Sequence, residues 1–339
     1  MDLAERKARI LYGQHLTAKA DQYTVCRHLN GIQAQFASAA RHALSIRTEG
    51  EVEEDKLVKS WTVRGTVHLF DPADLPLYLH EGRTHYLRPV DQLVADDHIT
   101  LERKRYFAHL ILEGLADGPR LREELKADCF AAGMTQEESE SVFNSWGGTL
   151  RYLAETGQIT HTVGMEKAFQ LCPPFEPMGE EEARLEMARR YFAMGPATVR
   201  DAAYFFGRPQ REVKGWMAKL PLSHAVVEGK DCFWLDNGQN DCPDIPDCLF
   251  LAGFDQLMLS YEKTESIFLP KEYLRGIFNL TGIVMAPILL RGQVAGRWKV
   301  KGGKLTLTPF GSWPEADRRL VLSAAEALWT VKKVVWEGT

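Results

Sequence analysis

The amino-acid sequence predicts an α+β fold in which helix-rich units precede a strand-rich carboxyl-terminal part. Two patterns support this prediction: helices followed by a short β-rich stretch recur along residues 1–240, whereas strands and tight turns dominate residues 241–339. Hydrophobic residues make up 45% of the chain and charged residues 26%, which is typical of a folded globular protein. With 339 residues, the chain can form two to four compact units.

The amino-terminal segment combines helical spacing with clear local stop signals. Its predicted helices are residues 3–16, 23–29 and 38–47. Asn30-Gly31 favours the end of the second helix, and Ser38 is a residue type that caps the start of the third. Alternating, β-rich residues 61–70 then predict a pair of strands.

The same order of helices followed by a hairpin recurs twice. The further predicted helices are residues 101–115, 120–126, 137–155, 181–192, 199–206 and 210–218. Residues 157–171 and 225–235 predict the two hairpins that follow them. A helix-turn-helix with a β-hairpin is the winged-helix arrangement. We therefore predict three tandem winged-helix units, which are residues 1–98, 99–178 and 179–240.

The remainder of the chain predicts a different kind of domain. Residues 237–248 are rich in turn formers and place a boundary near residue 241. The strands predicted beyond it are residues 283–290, 294–300 and 305–309, and residues 316–332 predict a last helix. We expect residues 241–339 to form a β-barrel-like domain covered by this helix.

Charge and composition narrow the class of protein. The net charge of −5 argues against a protein that coats nucleic acid through charge alone, although local basic clusters still allow DNA binding. The charged start of the chain lacks an apolar targeting segment, and no stretch is long enough to cross a bilayer, so we expect a cytoplasmic protein. The six cysteines are scattered, so we expect reduced thiols and no metal site.

One polar motif remains after the usual enzyme signatures are searched. The sequence lacks the glycine-rich phosphate and dinucleotide loops, the serine nucleophile elbow and the zinc-protease motif, so we expect no cofactor. Gln33 and Gln35 lie two residues apart between predicted helices. On extended backbone their side chains would point the same way, whereas on a helix they would diverge. Spacing alone favours the simpler interpretation that they are polar linker residues.

An ordered set of short strings resembles the AlkZ-type winged-helix DNA glycosylase family. The strings are Gly31–Gln35, Arg47, Arg64–Leu69, Gly195–Asp201, Gly253–Asp255 and Gly292–Trp298. The resemblance implies three winged-helix units and a carboxyl-terminal barrel around a DNA channel, with Gln33 and Gln35 as the catalytic Q-x-Q motif. Glutamine at the second motif position resembles the branch that unhooks bulky crosslinks. The family often has an arginine near Thr264, where this chain has only Lys263.

The chemistry of two amides limits the substrate. A neutral amide is no general base, but it can orient a water molecule through its oxygen and its N–H groups. Positioning a water molecule is sufficient for catalysis only where the leaving base is already activated, as in a purine that carries a positive charge after N-alkylation. We therefore predict a monofunctional DNA glycosylase that acts on N7-alkylguanine, with N3-alkyladenine and interstrand crosslinks as further candidates.

Basic and polar side chains elsewhere are candidates for DNA contacts. The expected contacts are Arg41, His42, Arg47, Arg64, Thr66, His68, Arg208, Arg211, Lys214 and Arg297. On a regular strand, Arg64, Thr66 and His68 would share one face. Each of these residues also has a structural interpretation, since an exposed arginine is often only solvated and a histidine among apolar neighbours often belongs to the core. Trp298 fits a core position better than a groove contact, and Asp255 fits either a helix cap or a site carboxylate.

Two other function classes remain open at this stage. A non-enzymatic winged-helix regulator would bind undamaged duplex in a sequence-dependent way, and a self-resistance protein would bind lesions without releasing a base. In the glycosylase interpretation the partner is double-stranded DNA with alkylated or crosslinked bases, the protein acts as a monomer near the nucleoid, and no membrane is involved.

Overall fold

The chain is an α+β protein with two compact units. The computed structural model describes residues 1–164, 167–236, 243–330 and 333–338. One unit, called here the split unit, comprises Met1–Val52 and Ala188–Thr339, and the other, the central unit, comprises Glu53–Met187. This division is coarser than the four consecutive domains expected from the sequence, which remain a prediction. The predicted boundary near residue 241 falls within residues 237–242, outside the described part of the chain.

The described residues contain the following elements. The α-helices are α1 (Leu3–Gly13), α2 (Gln22–His28), α3 (Ala37–Ser45), α4 (Leu75–Tyr78), α5 (Leu101–Gly114), α6 (Arg122–Ala131), α7 (Gln136–Val142), α8 (Thr149–Glu155), α9 (Glu180–Ala193), α10 (Val199–Phe206), α11 (Gln210–Met217), α12 (Gln256–Leu259), α13 (Leu274–Ile277) and α14 (Glu315–Leu328). The strands are β1 (Ile32–Gln33), β2 (Val58–Trp61), β3 (Val67–Phe70), β4 (Arg120–Leu121), β5 (Ile159–His161), β6 (Ala168–Leu171), β7 (Leu222–Val227), β8 (Lys230–Leu235), β9 (Cys248–Phe250), β10 (Ala286–Leu290), β11 (Gln293–Lys301), β12 (Lys304–Pro309) and β13 (Lys333–Trp336). None of the helices in these ranges is long and apolar enough to span a bilayer.

The central unit packs helices against an antiparallel sheet. Its strands follow the order β3-β2-β5-β6-β4, and its core includes Phe107, Leu150 and Phe169. The predicted hairpin over residues 157–171 is confirmed by the pairing of β5 with β6. The single helix predicted over residues 137–155 is wrong. Helix α7 ends at Val142, and positive φ values at Gly147 and Gly148, of 146° and 64°, keep the following stretch out of helix until α8 begins.

The third predicted set of elements has the expected order along the chain. Helices α9, α10 and α11 are followed by the β7–β8 hairpin. The hairpin turns at Glu228 and Gly229, where φ values of 49° and 73° suit the right-handed twist of the two strands. Thr198 and Asp201 form a capping box that fixes the start of α10.

The carboxyl-terminal sheet departs from the expected barrel. Its strands follow the order β13-β12-β11-β10-β9, and among the described residues no pairing joins the two edge strands, so the sheet is open. Helix α14 buries Val321 and Ala325 against the sheet core. The helix ends at Leu328, earlier than the predicted residue 332, and residues 331–332 lie outside the described part of the chain. Strand β13, which begins just beyond the predicted helix end, pairs in parallel with β12.

Buried histidines characterise the central unit. Burial lowers the pKa of His68 and of His161 to about 3 and that of His80 to about 4. The His161 ring packs against Trp61 and Phe169, with centroids 4.4 and 4.7 Å away. In the unfolded chain these side chains take up a proton near pH 6.5. The stability they contribute is therefore fully present above about pH 6.5 and is lost as the pH falls towards their folded-state pKa values.

We expect the free energy of unfolding to fall below about pH 6.5 by roughly 1.4 kcal/mol per pH unit for each such histidine. His161→Phe keeps an aromatic ring between Trp61 and Phe169 but removes one titrating group. Urea unfolding at about pH 7 and about pH 5 should show a shallower loss of stability in this variant than in the wild type. Equal losses in both proteins would contradict the assignment of a neutral, half-buried His161.

Candidate active site and DNA interface

A break between two helices carries the Q-x-Q motif. Helix α2 ends at His28, and Asn30 and Gly31 adopt left-handed backbone with φ of 55° and 84°. The Gly31 amide donates to the Cys26 carbonyl at 2.8 Å, which closes the helix end. The chain then extends through Ile32–Gln33, and α3 begins only at Ala37. The predicted helix stop is therefore confirmed. The strand includes Gln33 but ends before Ala34 and Gln35, so the convergence of the two amides stays a prediction.

The motif leads from the protein interior to the surface. Gln33 is 7% exposed and Ala34 is buried, whereas Gln35 is exposed to solvent. An enclosed amide has fixed dipoles in a medium of low dielectric constant, so it can orient a water molecule with little reorganisation. An exposed amide two residues later is accessible to a large substrate such as DNA. The motif can therefore combine a fixed group with an accessible one.

A distant segment of the chain holds both ends of the motif. The buried Gln256 side chain donates through Nε2 to the carbonyl of Leu29, the carboxyl-terminal cap of α2, at 2.7 Å. On the other side of the motif, the Phe36 ring stacks on Phe254 with a centroid distance of 5.5 Å. Gly253 lies so close to Val284 that a Cβ would meet its carbonyl oxygen at 3.2 Å. Residues 253–256 thus form a support for the motif.

This support is fixed by a buried ion pair. Arg47 and Asp255 are both fully buried, and two hydrogen bonds of 2.6 and 3.1 Å join the guanidinium to the carboxylate. The Arg47 guanidinium also donates to the carbonyls of Gln14 and Ala43 at 3.0 Å each. Asp255 further accepts the Leu257 amide at 2.9 Å as the cap of α12. Of its two possible roles, the structure supports the helix cap.

The expected DNA contacts at Arg47 and His42 require correction. Arg47 is enclosed and bonded on several sides, so its charge cannot reach a phosphate. His42 bonds through Nε2 to the Phe250 carbonyl at 2.7 Å, and its ring lies against Trp298 and Trp329. Burial lowers the pKa of His42, which favours the neutral ring. Trp298 donates to the Leu251 carbonyl at 2.8 Å, in agreement with its expected core position.

The face expected to carry Arg64, Thr66 and His68 does not form. Val63–Gly65 is a short helical turn in which Arg64 has a φ of 59°, and β3 begins only at Val67. His68 is buried, its Nδ1 lies 3.0 Å from the Thr66 carbonyl, and burial and the neighbouring Arg64 charge lower its pKa to about 3. It is therefore a neutral core residue and not a DNA contact. Arg64 and Thr66 are half-exposed, and their contact with DNA stays a prediction.

The remaining expected contacts lie at or near the surface of the split unit. Arg211 and Lys214 are exposed on α11, whereas Val213 and Trp216 on the same helix are buried. Arg208 precedes the helix and lies 3.9 Å from the Glu212 carboxylate. Arg41 is exposed on α3. Arg297 is half-buried and donates to the Gly276 carbonyl at 3.3 Å. DNA contact by all five of these residues stays a prediction.

The structure also brings together a basic surface that the sequence analysis missed. It consists of Arg27 and His28 at the end of α2 and Arg189 and Arg190 near the end of α9. Of these residues, Arg27 and His28 directly precede the Q-x-Q break along the chain. Arg190 donates to the Arg27 carbonyl at 3.4 Å. Burial lowers the pKa of His28, and its neighbour His15 and the three arginines lower it further. The adjacent Arg189 and Arg190 indicate a basic site in the sequence, but only the folded structure shows that they lie beside the end of α2.

The geometry and the comparisons together define the class of protein. A sequence model of the family described as "DNA glycosylase AlkZ-like" matches residues 26–331. The chain therefore belongs to the AlkZ-like DNA glycosylase family.

A sequence match and a structural match, both from Streptomyces sahachiroi, illustrate the relationship. An interstrand DNA cross-link repair glycosylase is 24% identical to this chain over 328 residues, which cover 87% of this chain and 85% of the relative. The solved structure of the DNA glycosylase AlkZ superposes with a TM-score of 0.78 over 100% of both chains at 20% identity, which shows that the fold is shared.

The buried ion pair gives a test that separates structure from DNA binding. Arg47→Met leaves the Asp255 carboxylate buried without its charge partner, so we expect a loss of about 3–5 kcal/mol in the free energy of unfolding. Arg41→Met, at an exposed site on the preceding helix, should change stability by about 0.5 kcal/mol or less. Urea unfolding measures both values. An Arg47→Met protein as stable as the wild type, with DNA binding that depends less on salt, would restore Arg47 as a phosphate contact.

Proposed function

We propose that the protein is a monofunctional DNA glycosylase that hydrolyses the N-glycosidic bond of cationic N-alkylated purines and unhooks interstrand crosslinks. The observation that carries the proposal is the extended break between α2 and α3, which encloses Gln33 and exposes Gln35, in a chain of the AlkZ-like family. N7-alkylguanine is the first candidate substrate and N3-alkyladenine the second. The printed name of the curated relative supports crosslink repair as part of this activity.

In the proposed reaction the base leaves before water attacks. The bond between C1′ and the purine nitrogen breaks, and its electron pair neutralises the positive charge of the alkylated base. The sugar becomes an oxocarbenium ion, which the amide oxygens of Gln33 and Gln35 stabilise through their dipoles. A water held by the two amides adds to C1′ and releases a proton to solvent. The products are the free base and an abasic site.

The nature of the two side chains explains both the substrate and the mode of action. An amide does not accept a proton near neutral pH, so the activation has to come from the charge of the base itself. An amide is also a poor nucleophile and cannot form a Schiff base with the sugar. Hydrolysis therefore stops at the abasic site, which is the action of a monofunctional glycosylase. The reaction requires neither a metal nor a cofactor.

Double-stranded DNA is the proposed partner of a monomer that acts near the nucleoid. In this proposal the basic surface of Arg27, His28, Arg189 and Arg190 binds phosphates close to the motif. The third helix-and-hairpin set acts as a winged helix, with Arg211 and Lys214 on the exposed face of α11 along the backbone. The other proposed contacts are Arg41, Arg64, Thr66, Arg208 and Arg297.

The amide motif gives the decisive test of the enzymatic function. We expect Gln33→Ala and Gln35→Ala each to lower the single-turnover rate of 7-methylguanine release by at least about 100-fold, because positioned dipoles at the reacting centre are lost. DNA affinity should change little. Gln136→Ala, at an exposed glutamine that begins α7, serves as the matched control and should keep the wild-type rate.

The same assay separates the competing functions. Binding of lesion DNA without base release by the wild type would indicate a self-resistance protein that sequesters lesions. Sequence-dependent binding of undamaged duplex, unaffected by Gln33→Ala, would indicate a regulator. DNA with a nitrogen-mustard crosslink, compared with N7-methylguanine, tests whether unhooking accompanies the release of simple adducts.

The basic surface gives a second test. Each phosphate contact contributes about 0.9 to the slope of log affinity against log salt concentration, so Arg27→Gln and Arg189→Gln should each reduce that slope by about this amount. The release rate with all DNA bound should stay near that of the wild type. Arg319→Gln, at an exposed arginine of α14 in the same unit, is the control. Unchanged slopes in both test variants would exclude this surface from the DNA interface.

A further inference from the structure

An exposed aromatic ring directly follows the Q-x-Q motif. Phe36 is 45% exposed and has extended backbone, with φ of −123° and ψ of 116°. It occupies the position before the first turn of α3, where its side chain makes no capping hydrogen bond. The expected cap, Ser38, lies inside the helix instead, so that expectation is wrong.

The residue type at this position conflicts with local structure. Serine, threonine, aspartate and asparagine are preferred at a helix start because they accept a hydrogen bond from the first free amides. A large apolar ring gives no such bond and leaves much of its own surface in water. Residues that do not suit their local secondary structure are concentrated at functional sites, where binding or catalysis determines the residue type.

The ring is held in place from one side. Its partner Phe254 is almost fully buried, and the two rings stack at 5.5 Å with their planes 26° apart. Phe254 precedes Asp255, which the ion pair with Arg47 fixes in the interior. Phe36 therefore has a supported ring on the solvent side of the motif.

We propose that Phe36 binds the alkylated purine through the face of its ring and selects purines that carry a positive charge. This inference rests on the proposed function and names a specificity-determining residue for it. The face of an aromatic ring carries partial negative charge and attracts cations, most strongly where water is excluded. Bases also stack on aromatic side chains whatever their sequence context. The ring next to Gln35 thus binds the class of base that the two amides can release.

The proposal predicts an effect on binding rather than on the chemical step. The base is most positively charged before its bond to the sugar breaks, and it is neutral once it has left. The attraction to the ring is therefore greatest in the bound substrate and weaker later in the reaction. Loss of the ring should weaken the binding of cationic lesions and leave the rate with all DNA bound much less affected.

Two DNA probes isolate the contribution of charge. The first carries 7-methylguanine on a 2′-fluorinated sugar, which suppresses base loss, and the second carries 7-methyl-7-deazaguanine on the same sugar, which has the same shape but no charge. We expect the wild type to bind the cationic probe more tightly. Phe36→Leu should reduce the ratio of the two affinities by roughly 3- to 30-fold. Phe36→Tyr, which keeps the ring, should retain the ratio.

Further variants keep the test decisive. Tyr106→Leu removes an equally exposed ring (47%) in the central unit and should leave the ratio unchanged. Pentafluorophenylalanine at position 36 preserves the shape of the ring and its packing on Phe254 but reverses the charge of its face, so it should abolish the preference even if the leucine variant folds poorly.

A wild type that binds the two probes equally, or a fluorinated protein that keeps the preference, overturns the role of Phe36. The assays also distinguish this failure from failure of the enzymatic proposal. If the wild type prefers the cationic probe but releases no 7-methylguanine from ordinary DNA, the function is wrong, whereas release without a charge preference contradicts only the role of Phe36.

Discussion

The buried ion pair between Arg47 and Asp255 is the constraint on which the candidate site depends. It joins the chain just beyond the end of α3 to the residue that caps α12, and these positions are 208 residues apart in the chain. On either side of Asp255, Gln256 fixes the end of α2 and Phe254 supports the ring at the start of α3. The short extended stretch between these two helices is thereby held at both ends.

The energetic value of such a pair lies in specificity more than in stability. Removing two charges from water costs several kcal/mol per ion, and attraction offsets this cost only where the remaining hydrogen-bonding groups are also satisfied. Here the guanidinium has two carbonyl partners besides the carboxylate, and the carboxylate accepts backbone amides from Ala252 and Leu257. An alternative packing of these helices would leave a buried charge without its partners. The network therefore favours one arrangement of the motif.

Local signals in the sequence predicted the part of the site that depends on local structure. Asn30-Gly31 is a helix stop because both residues tolerate left-handed backbone, and the structure has the stop at that position. The hairpin at Glu228-Gly229 and the non-helical stretch at Gly147-Gly148 have equally local causes, although a continuous helix is expected over the second. Most of the helices, the hairpins and the α+β class were therefore accessible from residue types and spacing.

The errors share a different physical origin. Arg47 and His42 looked like surface contacts because their partners, Asp255 and Phe250, are each 208 residues away. A regular strand over residues 64–68 would place His68 on one face with Arg64. The turn at Arg64 delays the start of β3 to Val67, so this shared face does not form. The expected barrel failed for a similar reason: β13 pairs in parallel with β12, and this pairing is not encoded by any local turn. The basic surface is not evident in the sequence because Arg190 lies 163 residues from Arg27 and meets it only in the folded chain.

The central claim is that two uncharged side chains suffice for catalysis because the departing base brings its own activation. A crystal structure with DNA that contains a 1-aza-2′-deoxyribose residue, a cationic mimic of the oxocarbenium sugar, tests it most directly. The account predicts one ordered water within about 3.2 Å of both the Gln33 and the Gln35 amides, facing the nitrogen that replaces C1′. Amides that point apart, or a water held by a carboxylate in their place, would contradict it.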